Sequence, residues 1–205
     1  MDDQELDDTQ SHSGHDEHPI VAGLGARVRK LRQEQCLTLE ELARRSTVSR
    51  AMLSKIERSE KVPTLGTVVR VAKGLNVTLS GLLGAEPDSS EVAIHRARDR
   101  IVFRDPKSGF ERETLSSGHT PSDVEIVLHR LPPGRSTGVL PAYAVPTDKY
   151  VLVQAGILSA EVEGATYTVE EGDTLFFSVK SPYRFSNEGK KHLVYLLVMI
   201  RGERA

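Results

Sequence analysis

The chain has no tryptophan, a single cysteine (Cys36), 5 % aromatic residues, and no apolar run longer than the eight residues Leu193–Ile200. One cysteine excludes an internal disulfide framework and fits a reducing cytoplasm. Eight apolar residues fall far short of the about 20 that a membrane helix needs, and no signal-peptide pattern opens the chain. The expectation is a soluble, cytoplasmic protein without a membrane partner. The scarcity of aromatics also removes the stacking platform on which single-stranded RNA readers depend. No period of 20–50 residues repeats, which argues against a solenoid.

Positive charge is missing from one region and concentrated in another. Residues 1–18 carry seven acids and no Lys or Arg, whereas Pro19–Gly84 carries 12 basic against 5 acidic residues, although the whole chain is formally only −2. A basic island in an acidic protein suits phosphate binding. Residues 1–18 lack apolar periodicity and read as a disordered acidic tail. Its His12, His15 and His18 would line up for a transition metal if helical, though a flexible polar tail is the simpler account.

Beyond the tail the texture changes once. Val28, Leu31, Leu42, Leu53, Ile56, Val68 and Leu75 recur at helical spacing up to Gly84. GAEPDSS (84–90) then reads as turn-rich, and the linker is placed at residues 85–98. Short β-branched or alternating runs follow: VAIH, RIVFR, ERETL, VEIVLHRL, KYVLVQ, ILSAEVE, ATYTVE, DTLFFS, YRFSN and HLVYLLVMI. Turn signals such as PPG, EEGD and SNEGKK separate them, as in a closed all-β sandwich or barrel. The predicted organisation is an all-α domain over 19–84 and an all-β domain over 99–205.

The segment Leu37–Glu57 (LTLEELARRSTVSRAMLSKIE) carries the strongest functional signal. A first helix is expected over about Val21–Glu34, and Thr38-Leu-Glu-Glu41 is a capping box for the second. Ser49 is expected to cap helix three, Thr64 helix four and Thr78 a short fifth. Helices two and three form a unit that lays the second of them in a DNA major groove. Thr38, Ser49, Arg50, Ala51, Ser54, Lys55 and Arg58 are the candidate DNA-binding residues, with the motif at about 38–57. Arg50 would take guanine O6 and N7, Ala51 a thymine methyl, and Thr38 and Ser49 phosphates at helix N-termini. Arg44, Arg45 and Lys61 are flanking phosphate candidates. Cys36 reads as a half-buried, inert helix-end thiol rather than a redox sensor.

Residues 27–83, RVRKLRQEQC through VTLSGLL, resemble the five-helix, lambda-repressor-like DNA-binding domain of phage-repressor and xenobiotic-response-element type regulators. The resemblance implies a partly buried Arg32–Glu57 pair tying helix one to helix three. It also exposes departures, because the family commonly has glycine where this chain has Cys36, Thr47 and Ser59. Left-handed backbone at a non-glycine residue costs up to about 1–2 kcal/mol.

Pro132–Ile200 is similar to a small cupin (jelly-roll) barrel of the kind fused to such domains. The carrying segments are LPPG (131–134), YVLVQAGILSAEVEGATYTVEEGDTLFF (150–177) and SPYRFSNEG (181–189). The resemblance implies four metal-ligand positions, which fall on Tyr143, Val145, Lys149 and Tyr183. None is a ligand of the expected kind, so no metal, cofactor or enzymatic activity is expected. Tyr143, Lys149, Phe177, Tyr183 and Phe185 would instead face the barrel mouth and suit a small anionic effector. The expected function is a one-component transcriptional regulator whose homodimer binds a pseudo-palindromic double-stranded DNA operator and senses a metabolite. The alternatives are a barrel that only clamps the dimer, and, less favoured, a cupin enzyme carrying a DNA-binding head.

Overall fold

The computed structural model describes residues 19–85, 94–116, 124–143 and 145–202. The tail 1–18 with its three histidines, most of the expected linker, and His119 lie outside the described residues.

Five helices form the N-terminal half: α1 (Pro19–Glu34), α2 (Leu39–Ser46), α3 (Arg50–Glu57), α4 (Leu65–Gly74) and α5 (Leu79–Leu83). Their apolar stripes meet in one core, in which Val28, Leu42, Leu53, Ile56, Val68 and Leu75 are fully buried. Each such side chain contributes about 1.5–3 kcal/mol by leaving water. α1 crosses α3 so closely that a Cβ added at Gly25 would lie 2.2 Å from the Ile56 carbonyl oxygen, so only glycine fits there. Arg32 and Glu57 form the bidentate pair, at 2.7 and 2.9 Å, and Arg32 also donates to the Leu37 carbonyl.

The capping box opening α2 is present in both directions: Glu41 N–H donates to Thr38 Oγ1, and Thr38 N–H to Glu41 Oε2. Ser49 caps α3 and Thr78 caps α5. Thr64 does not cap α4 with its side chain, contrary to expectation. Its hydroxyl pairs with Thr67, and the Leu65 N–H goes instead to Asp105 Oδ2 at 2.6 Å. A carboxylate is the stronger acceptor and complements the positive end of the helix dipole. Asp105 stands 40 residues further along the chain, beyond the reach of any local capping pattern.

The sheet-rich half begins after a 3₁₀ turn (Ala97–Asp99); Ile94 and His95, expected in a strand, are in none. Among the described residues ten strands follow: β1 (Val102–Arg104), β2 (Glu111–Thr114), β3 (Val124–Leu131), β4 (Arg135–Ser136), β5 (Thr147–Ala155), β6 (Leu158–Val162), β7 (Ala165–Val169), β8 (Thr174–Ser178), β9 (Tyr183–Asn187) and β10 (Leu193–Arg201). They form two antiparallel sheets, ordered β1-β2-β3-β10-β5-β8 and β4-β9-β6-β7. Residue alternation sends one face of each strand inward. The register then stacks the inward residues in rungs: Arg201 opposite Thr147 at the rim, and Phe177, Lys149, Met199 and Glu125 side by side below it. Further in, Val153, Tyr195, His129 and Arg112 share a rung.

Left-handed backbone occurs at Cys36, Thr47 and Ser59, and also at Asn76, each closing a helix. The turns thus keep the shape glycine usually supplies and carry the strain. Cys36 is exposed, not half-buried, because its left-handed conformation turns the side chain off the α1 stripe.

Candidate nucleic-acid interface and barrel mouth

α3 buries Leu53 and Ile56 and presents its other side to solvent. Ser49, Arg50, Ala51, Lys55 and Arg58 are exposed there, Ser54 is half-buried, and Thr38 is exposed at the start of α2. All seven candidate DNA-binding residues therefore lie on the outer surface of the α2–α3 unit. Two neighbours escaped the sequence reading. Arg50 Nε is 2.9 Å from Glu40 Oε1, and Arg58 pairs with Glu60 while also donating to Ser54 Oγ. These arginines are held on carboxylates that any partner binding them must replace. Both pairs are largely exposed, where such exchange is cheap. The signal was available: Glu40 precedes Arg50 within the motif, and Glu60 follows Arg58 by two residues.

The barrel candidates come together, but inside. Lys149 is 1 % exposed, Tyr183 3 % and Phe185 1 %, with Phe177 buried and Tyr143 half-buried. Phe177, Tyr183 and Phe185 contact one another edge-on or tilted at centroid distances of 5.3–6.0 Å, filling the space expected to be open. Lys149 Nζ donates to Tyr183 Oη and stands 4.3 and 4.9 Å from the ring centroids of Tyr183 and Tyr143. No carboxylate pairs with it among the described residues. Burial lowers the Lys149 pKa, partly opposed by Tyr143. Burial is the largest influence on Tyr143 and opposes its ionisation, yet the charges of Lys149 and Arg201 and a hydrogen bond from Lys149 together hold that phenol below its ordinary value.

These residues do not fit a divalent cation. An ammonium repels one, Val145 offers no donor and is 46 % exposed, and Tyr183 Oη already accepts from Lys149. Among the described residues no group of three or more His, Cys, Asp or Glu could hold a metal.

A buried ion cluster that sequence reasoning missed lies beside Lys149. Glu125 (2 % exposed) accepts from Arg112 (1 %), from Arg201 Nη2 at 2.6 Å, and from the hydroxyl of Ser80 on α5. Burial raises the Glu125 pKa, but Arg112 and Arg201 more than offset it and bring the carboxyl down to about 2. Arg112 also donates to Ser80 and Thr114. The helical half thus reaches the barrel interior through Ser80, in addition to the Asp105 cap on α4 and a Lys73 Nζ bond to the Ala142 carbonyl at 3.0 Å. The sequence carried a signal for these charges. Glu125, Arg112 and Arg201 fall in phase with buried Val127, Thr114 and Met199 on their strands.

Comparison with known proteins agrees with this arrangement. Residues 28–82 match the helix-turn-helix family and residues 127–199 the cupin domain family. Over 172 residues, 82 % of this chain and 89 % of the relative, the chain is 26 % identical to the HTH-type transcriptional regulator SutR of Escherichia coli K12. The immunity repressor protein of Bacillus phage phi105 is 36 % identical over 63 residues, 31 % of this chain and 44 % of the repressor. In fold, the chain superimposes on an HTH_3-family transcriptional regulator from Vibrio cholerae with a TM-score of 0.74 at 21 % identity, covering 90 % of this chain and 98 % of the other.

Proposed function

We propose that this chain, which belongs with the helix-turn-helix transcriptional regulators that carry a cupin domain, binds a pseudo-palindromic operator as a homodimer and adjusts that binding to a small anionic metabolite. The observation that carries the reading is the exposed basic face of α3, with Arg50 and Lys55 free to reach a major groove once Glu40 lets go. One such face makes few base contacts, so two heads reading half-sites about one helical turn apart are needed for useful affinity.

The outer face of the six-stranded sheet supports the dimer. Tyr150, Leu152, Phe176 and Ile200 are 37–45 % exposed on adjacent strands, and Ile126, Leu128, Leu196 and Val198 continue the apolar surface between them. A contiguous apolar patch of this kind marks an interface, and a second copy of the same sheet is self-complementary to it. Sensing is supported by charge: Arg112 and Arg201 share one carboxylate, Glu125, so this end of the barrel has cation to spare. The ammonium of Lys149 speaks against metal-dependent catalysis.

Selection of bound fragments from random DNA, followed by footprinting, tests the proposal. Protected half-sites with two-fold symmetry are expected. Arg50→Ala and Lys55→Ala are each expected to weaken binding at least tenfold without moving the melting temperature. A monomer that protects a single asymmetric site would overturn the dimer, and unchanged affinity in both variants would overturn the assignment of α3.

A further inference from the structure

We infer that the acid-sensing site is the seam between the head and the barrel rim rather than the filled barrel interior, and that it takes a small carboxylic acid with a branched or aromatic body. The inference rests on the metabolite-sensing reading above and gives it a place and a chemistry.

A cavity of about 140 Å³ lies between α4–α5 and the rim. Its walls are mostly apolar and come from both halves: Val69, Val77 and Leu79 from the head, Pro141 and Val145 from the barrel. A cavity of this size holds about the volume of benzene. An acid with roughly six to nine non-hydrogen atoms is therefore the right scale, its carboxylate reaching the polar rim.

Two cations line the cavity and no Asp or Glu does among the described residues. Arg201 spends Nη2 on Glu125, while its Nε and Nη1 have no hydrogen-bond partner among the described residues. Lys73 uses one bond on the Ala142 carbonyl, leaving two ammonium protons. A carboxylate between Arg201 and Lys73 would make charge-assisted bonds to both domains while its body covers the apolar walls. Inorganic phosphate would meet the cations but leave those walls unmatched. Lys149 stands behind Tyr143, outside the lining.

The site also supplies a coupling route. Arg201 shares Glu125 with Arg112 and with Ser80 of α5. An incoming carboxylate takes the Nε and Nη1 of Arg201 beside the bond to Glu125 and bridges the seam through Lys73, so it binds one head orientation better than another. That difference in affinity is what shifts operator binding.

Titration calorimetry on the full chain with isovalerate and with benzoate, beside 3-methylbutanol and inorganic phosphate, tests this. The acids are expected to bind and the neutral alcohol and phosphate are not. Arg201→Gln should weaken the acids by about tenfold or more, Lys73→Gln by less, and Lys149→Met should leave them unchanged. Val77→Trp, which fills the cavity from a half-buried position, should abolish binding and guards against misfolding of the Arg201 variant. Acid binding that survives Val77→Trp but is lost in Lys149→Met would overturn the seam and leave sensing intact. Acid that binds as expected but leaves operator affinity unchanged would overturn the sensing reading while the site stands. Failure of both acids to bind the wild type would overturn the site.

Discussion

The head and the barrel put their charges in opposite places. In the head, the core is apolar and the candidate binding residues Arg50, Lys55 and Arg58 stand in solvent, the two arginines on carboxylates that exchange readily. In the barrel, the outer sheet face is apolar and the charges Arg112, Glu125 and Lys149 are inside, each within 2 % of full burial. An exposed charge adds little to stability and is available to a partner. A buried one is costly unless paired, and once paired it couples whatever elements contribute to the pairing. The head thus keeps its charges available and the barrel keeps its charges paired inside, with Ser80 as a head residue that enters the barrel's ion cluster.

The contrast can be broken most forcefully at Glu125. Glu125→Gln leaves Arg112 buried without its countercharge, and a loss of about 3–5 kcal/mol in chemical denaturation is expected. Lys55→Ala on the head should change stability by no more than about 0.5 kcal/mol in the same assay. Comparable losses from the two would mean that the barrel charges are not coupled as described.

A second difference is in pH dependence. His129 is buried between Phe110 and Tyr195, and neither ring nitrogen has a hydrogen-bond partner among the described residues. Burial first, then Arg112 and Lys149, push its pKa well below 6.5, so the folded chain refuses a proton that the unfolded chain accepts. Stability is therefore complete above pH 6.5 and falls below it by about 1.4 kcal/mol per pH unit while the folded imidazole stays neutral. His129→Leu should flatten the curve between pH 6.5 and 5. Glu125 acts at lower pH with the same sense: its contribution is present above 4.5 and fades as pH falls toward 2. An unaltered slope in the His129 variant would point to another group.

The smallest effect belongs to the head's turn. Thr47 holds φ at 53°, a costly setting for a β-branched residue. Thr47→Gly relieves that strain against the greater chain entropy of glycine, and a net gain of about 0.5–1 kcal/mol in thermal unfolding is expected. A loss would mean that the hydroxyl bond from Thr47 to the Ser46 carbonyl matters more than the backbone strain.

The two regions were unequally legible. The helices, the α2 capping box, the Ser49 and Thr78 caps and the Arg32–Glu57 pair follow from spacings within a few turns or from the family pattern. Nine of the ten strands among the described residues were legible by alternation; the two-residue β4 was not, and Ile94 and His95, expected in a strand, lie in none. Nor was the Asp105 cap legible, since its partner is remote in sequence, and the open barrel mouth was misjudged. Phe177 of one sheet packs on Tyr183 and Phe185, successive inward residues of β9 in the other, so the interior is filled by a contact between sheets that no single strand reveals. Arg201 was overlooked at the end of a hydrophobic strand, although its inward phase matched Met199.

The amino-acid order by itself determined a basic helical head, an α3 with an exposed polar face, and an antiparallel barrel whose expected metal positions hold a lysine, two tyrosines and a valine. Those properties are local or periodic and survive without knowledge of neighbours. Only the tertiary structure decided that the interior is filled, that Glu125 gathers Arg112, Arg201 and Ser80, and that a cavity opens between head and rim. Each depends on which residues of distant strands and helices share a rung or a seam, and that is set by packing and register rather than by position along the chain.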